Sequence, residues 1–272
     1  MALTFSFPLN GWSQNDIDFQ KMKVMFEQRR PQLDTMQFTP EKFKLPYLSL
    51  KTVTTDTIEI ASWFIPNPEK KGTILMVHGF DMNKSGMLAR ANHFHKLGYS
   101  VLLPDLRARG ESGGKKANTG ATNAHDVESV YNFYKQNLSS FGNITFYGYS
   151  HGGRAIIFGM SKLKAKESII LESTPYYLMN GFKRQYKINI PMKVDETALQ
   201  AAMKTIAENR ALLLVADSDT AINEEEGKEL IGLSTNKNSY MVLFNQTGHS
   251  IFSSKQKQQY TEEINKFLTT KL

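Results

Sequence analysis

The sequence predicts a single α/β domain, a doubly wound and mostly parallel sheet covered by helices. Three observations predict it. From about residue 51 onward, short apolar runs of β type alternate with segments of helical character. The order strand, helix, strand recurs, as a right-handed parallel crossover requires. At 272 residues the chain is long enough to fill one large sheet with helices on both faces.

The first strand candidate is TIEIASWFI at 57–65, which ends at Pro66. A polar turn, NPEKKG, leads to the apolar run TILMVH at 73–78, and the two runs read as antiparallel strands leading into a buried one. Residues 85–97 read as a helix closed by Gly98, in the position just past a helix end that favours glycine, and SVLLP at 100–104 is the next strand. The pattern repeats with a helix at 122–137, a strand at 143–149, a helix at 153–160 and a strand at 168–171. After an interruption it resumes with ALLLVA at 211–216, a short helix at 224–231, YMVLF at 240–244 and a last helix at 256–268. The interruption, residues 174–210, is too long for an ordinary connection and too apolar for a linker. It contains Tyr176, Tyr177, Leu178, Met179, Phe182, Tyr186, Ile188, Ile190 and Met192, and reads as a short helical cap over one edge of the sheet. Residues 1–50 have weaker periodicity, with one helix expected at 18–29, and read as an N-terminal extension of a single domain covering 1–272. No internal repeat or low-complexity tract interrupts it.

Composition narrows the function. Hydrophobic residues make up 40% and charged residues 22%, ordinary globular values, and no apolar run approaches the roughly 18 residues needed to span a bilayer. The start, MALTFSFPLNGW, lacks a basic region and its apolar stretch is broken by Thr4, Ser6 and Pro8, so it does not read as a secretory signal. A cytoplasmic location is the expectation, with the mature form of an exported protein as the alternative. The absence of cysteine removes disulfides, thiolate metal sites and a cysteine nucleophile. A net charge of +7 is spread from Lys21 to Lys271 without a dense basic run, which argues against nucleic acid as a partner.

One stretch carries chemistry. FYGYSHGG, residues 146–153, places Ser150 between glycines straight after a strand and before a helix, the Gly-x-Ser-x-Gly pattern of a strained turn that exposes a serine hydroxyl. A serine hydroxyl needs a base, and the base needs an orienting acid. Of six histidines, His93 and His95 lie two apart on a helix and read as exposed, His125 reads as a surface or packing residue, and His151 follows the serine directly. His78 sits at the end of a strand. His249, in FNQTGHS after the last strand, lies where catalytic groups collect in such sheets and is the base by elimination. Asp217 and Asp219 follow the run at 211–216; taken with Asp219, the chain order is serine, aspartate, histidine, which belongs to one particular fold.

With these residues in place, the sequence resembles the α/β-hydrolase superfamily, and within it the small serine esterases and lipase-like hydrolases with a short cap. The motifs that carry the resemblance are HGF at 78–80, LLPDLRARGESGG at 102–114, GYSHGG at 148–153, LLLVADSDTAI at 212–222 and TGHS at 247–250. It implies that the backbone amides of Phe80 and His151 form an oxyanion hole and that the ring of His78 helps to hold its loop. It also aligns Asp219 with the family's acid, leaving Asp217 as a loop residue that caps local amides. Two departures stand out. Arg107-Ala108-Arg109-Gly110 replaces the commoner Arg-Gly-His-Gly, with Arg109 read as solvated, and Ala216-Asp217-Ser218-Asp219 replaces Gly-x-x-Asp. The implied function is hydrolysis of a small-molecule carboxylic ester through Ser150, His249 and Asp219, with no metal or cofactor required. Tyr176, Tyr177, Met179 and Phe182 of the cap are expected to line the acyl pocket. A peptidase or amidase, a thioesterase, and a non-catalytic binding protein on the same fold are the alternatives.

Overall fold

The computed structural model describes residues 28–117, 121–186 and 196–270. Among them are eight strands in one sheet: β1 (Leu48–Val53), β2 (Glu59–Ile65), β3 (Thr73–Val77), β4 (Ser100–Pro104), β5 (Ile144–Tyr149), β6 (Ser168–Glu172), β7 (Ala211–Ala216) and β8 (Tyr240–Phe244). Seven α-helices accompany them: α1 (Leu88–Lys96), α2 (Asn123–Asn137), α3 (His151–Leu163), α4 (Leu178–Tyr186), α5 (Glu196–Thr205), α6 (Glu224–Gly232) and α7 (Lys257–Thr269). The strand order is β1-β2-β4-β3-β5-β6-β7-β8. Strands β3 to β8 pair in parallel, while β2 runs antiparallel to both β1 and β4.

The period of two along each strand divides the core. Ile74, Met76, Tyr147, Ile170 and Leu212 face α1 and α7, packing on Phe94, Tyr260 and Phe267. Leu75, Val77, Phe146, Leu171 and Leu213 face the other way, onto Val127 and Val130 of α2, Ile156 of α3 and Leu199 of α5. Burial on both faces is why the central strands are apolar at most positions.

Two expectations are corrected. The runs at 57–65 and 73–78 are not neighbours: β2 is flanked by β1 and β4, with Ile65 opposite Val101, and β3 lies beyond β4. All five residues of β3 are buried, so it takes a central place with two parallel partners, and the connection between β2 and β3 is long enough to let β4 between them. Strand β1 was hidden from periodicity because it forms the sheet edge, where Leu48 and Val53 are exposed and only Thr52 is buried. The helix expected at 18–29 lies outside the described residues except for its last two, and Gln28 is extended, bridging to Lys116. Residues Ile188, Ile190 and Met192 of the interruption also lie outside the described residues. What is described of it contains α4 and α5. Among the described residues, no helix is long and apolar enough to cross a membrane.

Strand order reverses around β3, whose two neighbours β4 and β5 both follow it in the chain. In open parallel sheets such a switch point opens a crevice at the carboxyl ends of the strands. The loops after β3, β5, β6, β7 and β8 meet there.

Candidate active site

Ser150 is the single residue between the end of β5 and the start of α3, and its backbone sits at φ 52°, ψ −122°. A side-chain-bearing residue in that region carries about 1–3 kcal/mol of strain. Its neighbours over-determine it. The Ser150 amide donates to the Glu172 carbonyl at 2.8 Å, and the Gly153 amide donates to the Ser150 carbonyl at 3.0 Å. Gly148 and Gly152 allow the chain to turn this tightly: a Cβ at Gly148 would lie 2.3 Å from Gly153 Cα, and one at Gly152 would lie 2.2 Å from the Val77 carbonyl oxygen.

The loops after β7 and β8 are joined by backbone bonds, from Asp217 N to Phe244 O at 3.0 Å and from Ser218 N to Thr247 O at 3.1 Å. That pairing brings Asp219 beside His249. His249 Nδ1 lies 2.9 and 3.0 Å from the two carboxylate oxygens of Asp219, and its Nε2 lies 2.9 Å from Ser150 Oγ. A carboxylate can only accept, so Nδ1 holds the proton and Nε2 turns its lone pair toward the serine hydroxyl. The Asp219 carboxylate is fully buried and also accepts from the Ala221 amide at 2.7 Å, while the histidine ring remains 35% exposed.

Asp217 is occupied elsewhere. It accepts from the amides of Gln246 at 2.8 Å and Thr247 at 3.2 Å, and these bonds hold its carboxyl below the usual range. The two aspartates that the sequence left close together thus contact different groups: Asp219 the imidazole, Asp217 the backbone leading to it.

His78 is buried at the end of β3. Its Nε2 accepts from the Leu106 amide at 3.0 Å, and its Nδ1 donates to the Gly79 carbonyl at 2.7 Å. Burial pulls its pKa down to about 3, against a weaker opposing contribution from Gly79, so the ring is neutral. Phe80 and His151 sit beside Ser150 with their rings edge to face, 5.6 Å apart.

Arg109, expected in solvent, is 2% exposed. Its Nε donates to the Phe80 carbonyl at 3.1 Å and its guanidinium centre lies 5.0 Å from the Phe80 ring. The reason is the closure of its loop. Asp105 accepts from the Glu111 amide at 2.9 Å and from the Lys84 ammonium at 2.5 Å, and Ala108 N donates to Gly113 O at 2.7 Å, which turns Arg109 inward under Phe80. His93 and His95 are half-buried rather than exposed. His93 packs between Phe252 and Tyr260, and His95 Nε2 lies 3.0 Å from the Pro66 carbonyl.

A cleft opens over Ser150 and His249, walled by Met82, Tyr149, Pro175, Leu178, Gly181 and Phe182 among others. Of the four cap residues expected to line a pocket, Phe182 lines it and Tyr176, Tyr177 and Met179 do not. Tyr176 is buried against Tyr177, and the Tyr177 hydroxyl donates to Glu229 at 2.6 Å. The signal that finds the wall is helical period: Leu178, Gly181, Phe182 and Gln185 form one face of α4, and that face is the lining. Among the described residues, no group of three His, Asp or Glu side chains is placed to hold a metal ion.

Comparison with known proteins places this geometry in context. No family model matches the chain. YqkD of Bacillus subtilis, an uncharacterized protein, is 31% identical over 94 residues, a match covering 35% of this chain and 31% of the relative's length. Solved structures align far more extensively. An esterase of Pyrococcus furiosus superposes with a TM-score of 0.77 at 22% identity, covering 86% of this chain and 94% of the esterase. An esterase of Exiguobacterium antarcticum gives 0.60 at 16% identity over 82% of this chain and all of its own. A predicted hydrolase of Thermoplasma acidophilum gives 0.60 at 17% identity over 83% of this chain, again with complete coverage of the neighbour. Sheet order, parallel centre and a likeness that runs over most of the chain lead to one conclusion: the chain has the α/β-hydrolase fold.

Proposed function

We propose that the protein is a serine hydrolase acting on small carboxylic esters. The observation that carries this reading is the continuous hydrogen-bonded series from Ser150 Oγ through the His249 ring to the buried Asp219 carboxylate, opening onto an apolar cleft. Neighbours of the same fold that are named esterases support it.

In the first step Ser150 Oγ attacks the ester carbonyl carbon and its proton passes to His249 Nε2. The imidazolium so formed is stabilised by Asp219, whose burial leaves it no competing solvent. The amides of Phe80 and His151 would bind the oxyanion, and a single such donor is worth roughly 3 kcal/mol of barrier. Collapse of the tetrahedral intermediate breaks the carbon–oxygen bond to the alcohol, which leaves with the proton from Nε2. Water then attacks the acyl-enzyme, giving a proton to the same nitrogen, and the acid departs as Ser150 recovers its hydrogen. The α4 face acts as a wall of the acyl pocket, and the shortness of the cap segment, residues 174–210, favours short to medium chains.

The test is a panel of chromogenic esters, amides and thioesters, run alongside labelling with an organophosphonate. Ester turnover and labelling at Ser150 are expected, and both should vanish in Ser150→Ala. Unchanged ester turnover in folded Ser150→Ala would overturn the reading.

A further inference from the structure

A buried ion pair that takes no part in the chemistry just described lies directly behind it. Glu172 ends β6 with its side chain completely inaccessible, and Arg90 of α1 meets it with 6% exposure. The contact is bidentate, from Arg90 Nε at 2.9 Å and Nη2 at 2.7 Å. Tyr147 also donates its hydroxyl to Glu172. Taking both charges out of water is costly, and an apolar pair of the same shape would often serve the core as well. Its position therefore needs another explanation.

The pair touches both reactive loops. The Glu172 backbone carbonyl holds the amide of Ser150, and its carboxylate accepts from the amide of Phe252 at 3.3 Å, three residues past His249. Arg90 Nη2 donates to Ser250 Oγ at 3.2 Å, and its guanidinium lies 4.3 Å from the ring of Tyr149, which itself packs 5.3 Å from the ring of His249. The segment carrying His249 is irregular, so its ring position depends on tethers. Asp217 supplies one on the amino-terminal side, and Arg90 with Glu172 supplies the other.

We infer that Glu172 and Arg90 are a positioning pair that fixes the His249 loop in register with the Ser150 turn. This rests on the serine-hydrolase reading and adds to it a link between elements 82 residues apart. An error of about 1 Å between base and nucleophile can lower turnover by about 100-fold, so a tether of this kind acts on kcat rather than on substrate affinity.

Three variants test it. Ser250→Ala removes the Arg90 contact to the loop without stranding a charge, Arg90→Lys keeps the charge but loses the fork, and Glu172→Gln keeps the shape but loses the charge. Each is expected to lower kcat for a soluble ester by about tenfold or more with KM changed less than about twofold, and to slow phosphonate labelling of Ser150 in proportion. Arg90→Lys combined with Ser250→Ala should cost less than the two separate losses multiplied, because both break the same link. If Glu172→Gln fails to fold, the other two decide. Folded Arg90→Lys and Ser250→Ala proteins with parental kcat, whatever their melting temperatures, would overturn the inference. That result beside an inactive Ser150→Ala would leave the serine-hydrolase reading intact, whereas an active Ser150→Ala would remove its basis.

Discussion

Replacing Asp219 with asparagine should leave the fold intact and nearly abolish turnover, and the structure says why. One carboxylate oxygen of Asp219 serves both the Ala221 amide at 2.7 Å and His249 Nδ1 at 2.9 Å, while the other faces Nδ1 at 3.0 Å. Asparagine would keep its oxygen on the Ala221 amide and place its NH₂ where the second oxygen was. Two N–H groups then face one another unless the imidazole moves its proton to Nε2, and that proton would point at Ser150. The wrong tautomer costs about 10⁴-fold in turnover, or about 5.5 kcal/mol. Asp217→Asn changes a side chain that contacts only loop amides and a neighbouring serine, and its oxygen can still accept from one of them. It should stay within a few-fold of the parent. The assay is kcat/KM on a soluble chromogenic ester, with circular dichroism to verify folding. Equal losses, or a larger loss in Asp217→Asn with both variants folded, would refute the assignment of Asp219 as the orienting acid.

Three further outcomes are expected. Folded His78 titrates near 3 against 6.5 when free, so below pH 6.5 the unfolded chain binds a proton that the folded chain refuses. Its contribution is complete above 6.5 and lost as pH falls toward 3, with a slope that approaches about 1.4 kcal/mol per pH unit, so urea unfolding at pH 5 and pH 6.5 should differ by about 1.6 kcal/mol more in the parent than in His78→Gln. Gly152→Ala would drive a methyl group into the carbonyls of Val77 and His78, rigid backbone that cannot yield, and should lower stability by about 3 kcal/mol in chemical denaturation and reduce phosphonate labelling. Phe182→Ala should enlarge the cleft, raising kcat/KM for longer acyl chains relative to acetate in a chain-length series; an unchanged profile would mean that α4 does not bound the acyl pocket.

The parts of this protein that can be read from its sequence are those governed by local pattern. The central strands are mostly apolar because both faces are covered, and Ser150 stands out because only glycine fits at 148 and 152 on either side of it. What escaped notice was either at an edge or long-range. β1 has few buried positions to make a period, and the β2 to β3 connection says nothing about a strand that passes between them. Choosing cap residues by aromatic character selected Tyr176 and Tyr177, whereas the wall follows helix geometry through Leu178 and Gly181. Arg109 looked like any loop arginine, since nothing local reveals a loop that closes on Asp105. Glu172 and Arg90 gave no sign at all, because a buried charge is recognisable only when its partner is beside it.

Three carboxylates surround the segment that carries His249, and their settings divide the work. Asp219 is buried and bonded to Nδ1, so it fixes the orientation of the ring and which nitrogen carries the proton. Asp217 is exposed and bonded to amides before the histidine, so it shapes the backbone that leads to the ring. Glu172 is buried like Asp219, but Arg90 meets its charge at hydrogen-bond distance and its carboxylate accepts from the Phe252 amide rather than from the ring. In the serine-hydrolase reading, exposure and partner, more than residue type or distance along the chain, would thus separate the acid that orients the base from the acids that hold its loop in place.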